Sequence, residues 1–359
     1  MRLFTVILLP LLILVALLAG AWLGGEALAV RELTRLSQAG LGFQAGSITP
    51  LREPARIGVH LTAVDLTMPP GQLQLPEADL SLRPLSPTVL RLDLPAKARL
   101  DLGAGLQELG LTEPLASLRL QPLSGLVPGR LGVSSGPMTL DGVPLADKLV
   151  LNAKLAHLGH DAPPDSVAAY DVNLSLQGLS PQALPDLAGA AQALNVSGTL
   201  ALIGQGRLWL NQAPTPGMLA EGTIRPSGLR IDGAEVQFGP LTARVVGMLR
   251  PDAQGRTQGA LAIYTADAAP VLDAAAGAGL LPGSVVKLAG TMLRTLSAMP
   301  MPGEGEADPA QLRSIDWPVP TAGELRLPIL FANGRMSFGP IPLGPAPAFI
   351  APALTTPQP

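Results

Sequence analysis

Two short patterns contain the residues most able to do chemistry, and the first is a serine between glycines. Gly132-Val133-Ser134-Ser135-Gly136 matches G-x-S-x-G, the sharp turn that exposes a nucleophilic serine in many hydrolases. That turn requires a strand before it and a helix after it, whereas here Pro137 and the strand-like run MTLDG follow. We therefore expect Ser134 to lie in a surface turn without a catalytic role.

The second pattern is a set of histidines. His157 and His160, followed by Asp161, have a spacing that could chelate a metal ion on a helix. They end a strand-like pattern, however, and a turn-forming Ala-Pro-Pro follows, so a surface loop is the better interpretation. His60 alternates with Val59 and its neighbours and is expected to face solvent. The sequence also lacks a P-loop, a dinucleotide fingerprint and a calcium loop, so we predict no catalytic residue, cofactor or metal site.

Composition excludes further classes of function. The net charge of -3 and the absence of a Lys/Arg run interleaved with aromatics argue against nucleic-acid binding. With no cysteine the chain has no disulfide, thiol nucleophile or thiolate metal site. Aromatic residues make up only 3% of the chain although 47% is hydrophobic, so the core must consist mainly of Leu, Val and Ala.

The N-terminus predicts a membrane anchor. Residues 3–23 carry no charge, and a helix of that length reaches across a ~30 Å hydrocarbon core. We interpret residues 1–25 as a signal anchor in the inner membrane, with the body of the protein in the periplasm. A cleaved signal peptide is the alternative, because Ala27-Leu28-Ala29 resembles a cleavage site. Residues 26–42 then continue as an amphipathic stem helix, with Leu33 and Leu36 on one face.

The rest of the chain reads as β-structure. Leu241, Ala243 and Val245 alternate with polar residues, the turn cluster PDAQG follows, and Leu261 and Ile263 resume the alternation. Similar runs recur over residues 43–339 with Gly and Pro between them, which predicts a mainly β domain. We expect a long curved antiparallel meander sheet with a few covering helices, near residues 181–194, 270–279 and 284–299.

A hairpin closes this domain. Leu325, Leu327, Ile329 and Phe331 alternate strictly and are followed by Asn333-Gly334, which is typical of a tight hairpin turn. Because Pro328 cannot donate to a β-ladder, the first strand of this hairpin is predicted to lie at a sheet edge. Residues 340–359 are expected to form a proline-rich tail.

Two stretches, VQFGPLTARVVGMLRPDAQGRTQGALAIY and NGRMSFGPIPLGPAP, carry a family resemblance. They resemble the bacterial proteins grouped as domain of unknown function 2125 (DUF2125), found mainly in alphaproteobacteria and akin to the AsmA-like proteins. The resemblance covers nearly the whole chain, and its motifs are structural. It implies an inner-membrane-anchored, periplasm-facing β-rich protein. For the wider AsmA-like group it implies roles in outer-membrane lipid homeostasis and assembly.

Two hypotheses of function follow. In the first, the apolar face of the sheet forms a groove that binds or transfers membrane lipids; folding of the sheet onto itself is the competing structure for that face. In the second, a non-enzymatic scaffold contacts an envelope protein partner and supports outer-membrane protein assembly through exposed strand edges. The candidate groove-lining residues are Val236, Phe238, Val245, Leu261, Ile263, Leu325, Leu327, Ile329 and Phe331.

Overall fold

The protein is described by a computed structural model in which one sheet dominates. It describes residues 24–39, 42–53, 55–68, 71–101, 105–125, 127–193, 197–215, 224–239, 241–266, 268, 295–302 and 315–349. These residues contain an antiparallel sheet of 19 strands and few helices, which confirms the predicted mainly β meander. The strands are β1 (Phe43–Pro50), β2 (Ile57–Met68), β3 (Gly71–Arg83), β4 (Ser86–Asp93), β5 (Lys97–Asp101), β6 (Leu106–Leu111), β7 (Leu115–Gln121), β8 (Val127–Ser135), β9 (Met138–Leu140), β10 (Val143–Ala146), β11 (Lys148–Ala156), β12 (Ala168–Leu179), β13 (Leu200–Leu210), β14 (Pro226–Phe238), β15 (Leu241–Pro251), β16 (Thr257–Thr265), β17 (Leu325–Ala332), β18 (Arg335–Phe338) and β19 (Ile341–Pro345).

The helices are short. Helix α1 covers residues 24–38, and α2 is Pro185–Ala193. The helix expected from Ser180-Pro181 begins instead as a separate 3₁₀ turn, Pro181–Ala183. Leu184 follows it with φ -126° and ψ 113°, because the residue before a proline is driven out of the helical region.

Other predicted helices fall largely outside the described part of the chain. This applies to the helix near 270–279 and to most of the one near 284–299, of which residues 295–297 are helical. The predicted anchor, residues 3–23, also lies outside it. No helix among the described residues is long and apolar enough to cross a membrane.

Successive passes of the chain across the sheet pair side by side. Several passes are interrupted, so that two short strands lie in line: β4 with β5, β6 with β7, β8 with β9, and β10 with β11. For example, β3 pairs with β4 through Leu80 and Leu92, and with β5 through Leu73 and Leu100. The result is a simple meander in which some passes are bent.

The interruptions line up across neighbouring passes, and we call this line the crease. Hydrogen bonds join the interrupted residues of adjacent passes: Leu111 N donates to Ala96 O at 2.7 Å, Gly136 N to Thr112 O at 2.8 Å, and Asp147 N to Gln177 O at 2.9 Å. Residues in the left-handed region mark the same line, namely Ala63 (φ 48°), Glu113 (φ 49°) and Gly178 (φ 66°).

The crease keeps apolar side chains on the inner side of both arms of the bent sheet. Leu61 and Val64 are three residues apart on β2, so regular alternation would place them on opposite faces. Both are instead buried in one core cluster, at 4% and 3% exposure. The left-handed Ala63 between them reverses the alternation and makes this possible.

Two of the five buried apolar clusters formed by the described residues lie at opposite ends of the meander. The first is formed by β2, β3 and the arm beyond the crease, and Ala29, Val30 and Leu33 of α1 pack against it. The second, near β17 and β18, joins Leu296 to Phe338 and their neighbours. Each end of the sheet is thus closed by packed side chains.

The predicted edge position of Pro328 is wrong. Its strand, β17, pairs with β16 on one side and β18 on the other. Pro328 is tolerated because pairing with β18 begins only at Ile329, and Gly339 N donates to the Pro328 carbonyl at 2.9 Å. The last described strand of the sheet is β19. It lies inside the predicted proline-rich tail and pairs with β18. Beyond it, Thr257 N donates to the Pro347 carbonyl at 2.8 Å.

Candidate functional site

A row of apolar residues crosses the sheet on one face, and we call it the apolar row. Each member is the ladder partner of the next, and directly paired residues present their side chains on the same face of a sheet. The row runs Val59, Leu80, Leu92, Ala116, Val133, Leu151, Leu174, Gly204, Ala234, Val245, Ile263 and Leu327.

Burial differs between the ends and the middle of the apolar row. The end members Val59 and Leu327 are 0% and 1% exposed, whereas every member between them is half-buried. Val133, Leu151 and Leu174 belong to none of the buried clusters formed by the described residues. We call this half-buried middle section the trough. It is an apolar surface with a packed core at either end.

The strand register brings the nine predicted lining residues to the face that carries the apolar row. Val245, Ile263 and Leu327 are members of the row itself. Leu261 pairs with Ile329 beside it, and Leu325 and Phe331 occupy alternate positions of the same strand. Val236 pairs with Ala243 and Phe238 with Leu241, next to Val245. Lipid binding by this face stays a prediction.

Two of these nine residues are buried within the chain. Leu327 is packed against Ala268, Leu296 and Phe338, and Phe331 is only 7% exposed. Both belong to the packed interior at the β17 end, where hydrophobic contacts are already made within the chain. The open part of the apolar face therefore lies further towards β4 than the sequence indicated.

Several trough residues on β7, β8, β11 and β12 were not among the predicted lining. The signal for them was present, because Leu149, Leu151 and Leu155 alternate as clearly as the central strands do. What the sequence lacked was the register, which places Leu151 opposite Val133 on one side and Leu174 on the other.

The opposite face of the same strands is polar. Asn152, Asn173 and Gln205 stand side by side on β11, β12 and β13, and all three are exposed. Next to them Arg207 Nε donates to Asp171 Oδ1 at 2.8 Å. The sheet is therefore amphipathic across its middle strands, with the trough on one face and hydrogen-bonding groups on the other.

One hydroxyl lies at the rim of the apolar face. Tyr170 is 6% exposed, packs with Leu155 and Leu208, and donates its hydroxyl proton to the Pro128 carbonyl at 2.8 Å. Burial disfavours the phenolate and raises the pKa of Tyr170 to about 12. This side chain thus stays neutral and supplies apolar surface.

The serine and histidine motifs do not come together in one site. The surface turn expected at Ser134 is wrong, because this residue lies within β8, where it pairs with Leu115 and Val150. The strand β9 follows instead of the helix that a nucleophile turn requires. His157 and His160 are exposed in the loop after β11, as expected. His60 Nδ1 lies 2.7 Å from Asp79 Oδ1 and its side chain is 35% exposed. Among the described residues, no cluster of three potential His, Asp or Glu ligands could hold a metal ion.

Comparison with known proteins identifies the family. Neither the curated proteins nor the solved structures give a match to this sequence. The family model described as an uncharacterized protein conserved in bacteria, DUF2125, matches residues 30–347. This range includes every described strand and begins within α1. The chain therefore belongs to the DUF2125 family.

Proposed function

We propose that this protein binds lipid acyl chains in the trough and serves lipid handling in the cell envelope. The observation that carries the proposal is the gradient of burial along the apolar row. Val59 and Leu327 are sealed in packed cores, while Leu151 and Leu174 between them stay half-buried with apolar neighbours on both sides. A ligand with a long apolar chain fits such a surface.

The size of the trough supports a lipid of ordinary length. Strands are spaced ~4.8 Å apart, so the row members that pack against none of the buried clusters, from Ala116 on β7 to Val245 on β15, extend over roughly 30 Å of sheet. One leaflet of a bilayer is about 15 Å of hydrocarbon, half of the ~30 Å core. Burying one Leu or Val side chain is worth ~1.5–3 kcal/mol, so covering several of them favours binding.

The proposed location is the inner membrane, with residues 3–23 as the anchor and the sheet in the periplasm. The uncharged N-terminal run supports it. So does the location that the resemblance to DUF2125 proteins implies. In that setting the ligands are membrane lipids, and an envelope protein is the further partner.

The alternative proposal, a scaffold that recruits partners through strand edges, has less support. At the β1 edge, Ser37 Oγ already accepts the outward-facing Ala45 N–H at 2.9 Å. At the other end β19 contains Pro342 and Pro345, which donate no backbone hydrogen bond. Both features reduce pairing with an added strand.

A matched pair of variants on β11 tests lipid binding. Leu151→Glu places a carboxylate in the trough, whereas Val150→Glu places one on the opposite face of the same strand, where Ser134 and Ser175 are the neighbours. Both parent residues are half-buried. Because water reaches both positions, we expect both variants to fold.

The readout is copurified phospholipid in native mass spectrometry, together with binding of a fluorescent fatty acid. We expect Leu151→Glu to lose lipid and Val150→Glu to retain it at the wild-type level. Equal lipid in both variants, with a normal thermal melt, would place the lipid elsewhere. A protein that copurifies with a defined polypeptide and no lipid would favour the scaffold.

A further inference from the structure

The hairpin between β3 and β4 has an unusual tip. Its turn is Arg83-Pro84-Leu85-Ser86, and Leu85 is 98% exposed. Turns favour Gly, Asn, Asp and Pro, and Pro84 meets that preference here, whereas at the position of Leu85 the hairpins at Asp141-Gly142 and Asn333-Gly334 have glycine. The turn geometry therefore gives no reason for a leucine at the tip, and its exposed side chain is available to an apolar partner.

This tip lies at the end of the sheet where α1 begins. The first turn of α1 is fixed there, because the fully buried Glu26 accepts backbone hydrogen bonds from Arg52 N at 3.2 Å and Gly58 N at 3.5 Å. Ile57, beside Gly58, pairs with Leu82. At ~4.8 Å between strands and ~3.3 Å per residue, Leu85 lies within about 15 Å of Ile57.

Two arginines surround this end of the sheet. Arg83 is exposed next to Leu85. The Arg52 side chain is 58% exposed beside the first turn of α1, where its Nε lies 3.9 Å from Oε2 of the buried Glu26. Guanidinium groups bind phosphate well, so an apolar tip flanked by arginines complements a lipid bilayer. In the proposed anchor the uncharged residues 3–23 directly precede α1 in the sequence, which would put the bilayer near the first turn of α1.

We infer that the β3–β4 tip rests on the membrane surface, with Leu85 inserted among the acyl chains and Arg52 and Arg83 at the level of the phosphates. The inference depends on the proposed anchor and is independent of lipid in the trough. Its consequence concerns that trough. Leu80 and Leu92, its first half-buried members, lie on the two strands of this hairpin and are thereby held close to the bilayer.

The absence of cysteine allows a clean test on the full chain. Leu85→Cys is labelled with an environment-sensitive dye and reconstituted into phosphatidylethanolamine–phosphatidylglycerol vesicles. Val319→Cys, at an 81% exposed position before β17, is the control. We expect a blue-shifted emission at position 85 and quenching by nitroxide-labelled lipid at least about twofold stronger than at position 319. Adding Arg83→Glu to Leu85→Cys should reduce that quenching.

Equal accessibility of both dyes to a water-soluble quencher, with the protein retained on the vesicles after a salt wash, would overturn the inference while leaving the anchor intact. A protein that does not remain with the vesicles would remove the anchor and the tip contact together. Neither result affects how much lipid the Leu151→Glu and Val150→Glu variants retain. Failure of the tip contact can therefore be told apart from failure of the trough proposal.

Discussion

Val59 and Leu327 stand at opposite ends of one cross-strand row and are both buried, at 0% and 1% exposure, although the row between them is half-buried. The two ends are sealed by different elements. Val59 is covered by the arm beyond the crease and by α1, and Leu327 by Leu296 and Phe338. Apolar residues of the row are thus packed in a core at the two ends and are partly exposed in the middle.

This difference predicts opposite responses to one substitution. Leu327→Asp buries an unpaired carboxylate among apolar side chains, and we expect it to destabilise the protein by more than about 3 kcal/mol or to prevent folding. Leu174→Asp, in the trough, should cost about 1 kcal/mol or less because water can hydrate it. Urea denaturation of both variants checks this. A Leu327→Asp variant as stable as Leu174→Asp would show that the β17 end is open.

The hairpin at Asn333-Gly334 could be predicted because local turn chemistry decides it, and both residues have positive φ, 51° and 69°. The crease could not be predicted, because Pro95 and Pro137 look like ordinary breaks between strands. Only pairing with neighbouring passes shows that the chain continues in line beyond them. For the same reason the apolar face could be anticipated from alternation on single strands, whereas the position of its open part depends on packing at the two ends.

The crease itself gives a testable stability effect at Ala63. A left-handed conformation costs a non-glycine residue ~1–2 kcal/mol of stability. Glycine avoids that cost, but it makes the unfolded chain more flexible, which lowers stability by ~0.5–1 kcal/mol. Ala63→Gly should therefore raise the free energy of unfolding by about 0.5 kcal/mol. The control is Ala78→Gly on β3, at a buried position without positive φ, which should lower it. Chemical denaturation compares the two, and a loss of stability in Ala63→Gly would contradict the assigned backbone.

Tyr170 predicts an alkaline loss of stability. Its pKa is raised to about 12 in the folded protein by burial, against an ordinary value of 10.0. The unfolded chain therefore releases the phenolic proton first, so the stabilisation is complete below pH 10 and is lost as the pH rises towards about 12. Tyr170→Phe should remove this part of the pH dependence. It should also cost about 1 kcal/mol at neutral pH through loss of the hydrogen bond to Pro128.

Stability curves of wild type and Tyr170→Phe between pH 8 and pH 12 measure both effects, with the tyrosinate absorbance as a direct titration. The chain has only two tyrosines, so the difference between the two proteins reports Tyr170. Parallel curves over this range would show that Tyr170 is not protected in the folded state.

The last prediction concerns how the loop between β11 and β12 is fastened to the polar face. Arg230 Nη1 donates to Asp161 Oδ2 in this loop, while its Nε donates to Asp232 Oδ1 at 2.6 Å. Trp209, which is fully buried, donates its Nε1 proton to the Leu158 carbonyl at 2.9 Å and fixes the same loop. Burial alone would lower the pKa of Arg230, but hydrogen bonds and attraction from Asp232 and Asp161 outweigh it and raise that pKa.

The two carboxylates differ in exposure and should differ in energetic weight. The Asp161 side chain is 3% exposed and that of Asp232 is 40% exposed. We expect Asp161→Asn to cost about 1.5–3 kcal/mol, since a desolvated charge pair is broken. Asp232→Asn should cost less than about 1 kcal/mol, as exposed ion pairs do. Combining Asp161→Asn with Arg230→Gln in a double-mutant cycle should give a smaller loss than the sum of the single losses. Additive losses, or equal effects of the two aspartates, would show that the Asp161 contact does not hold the loop.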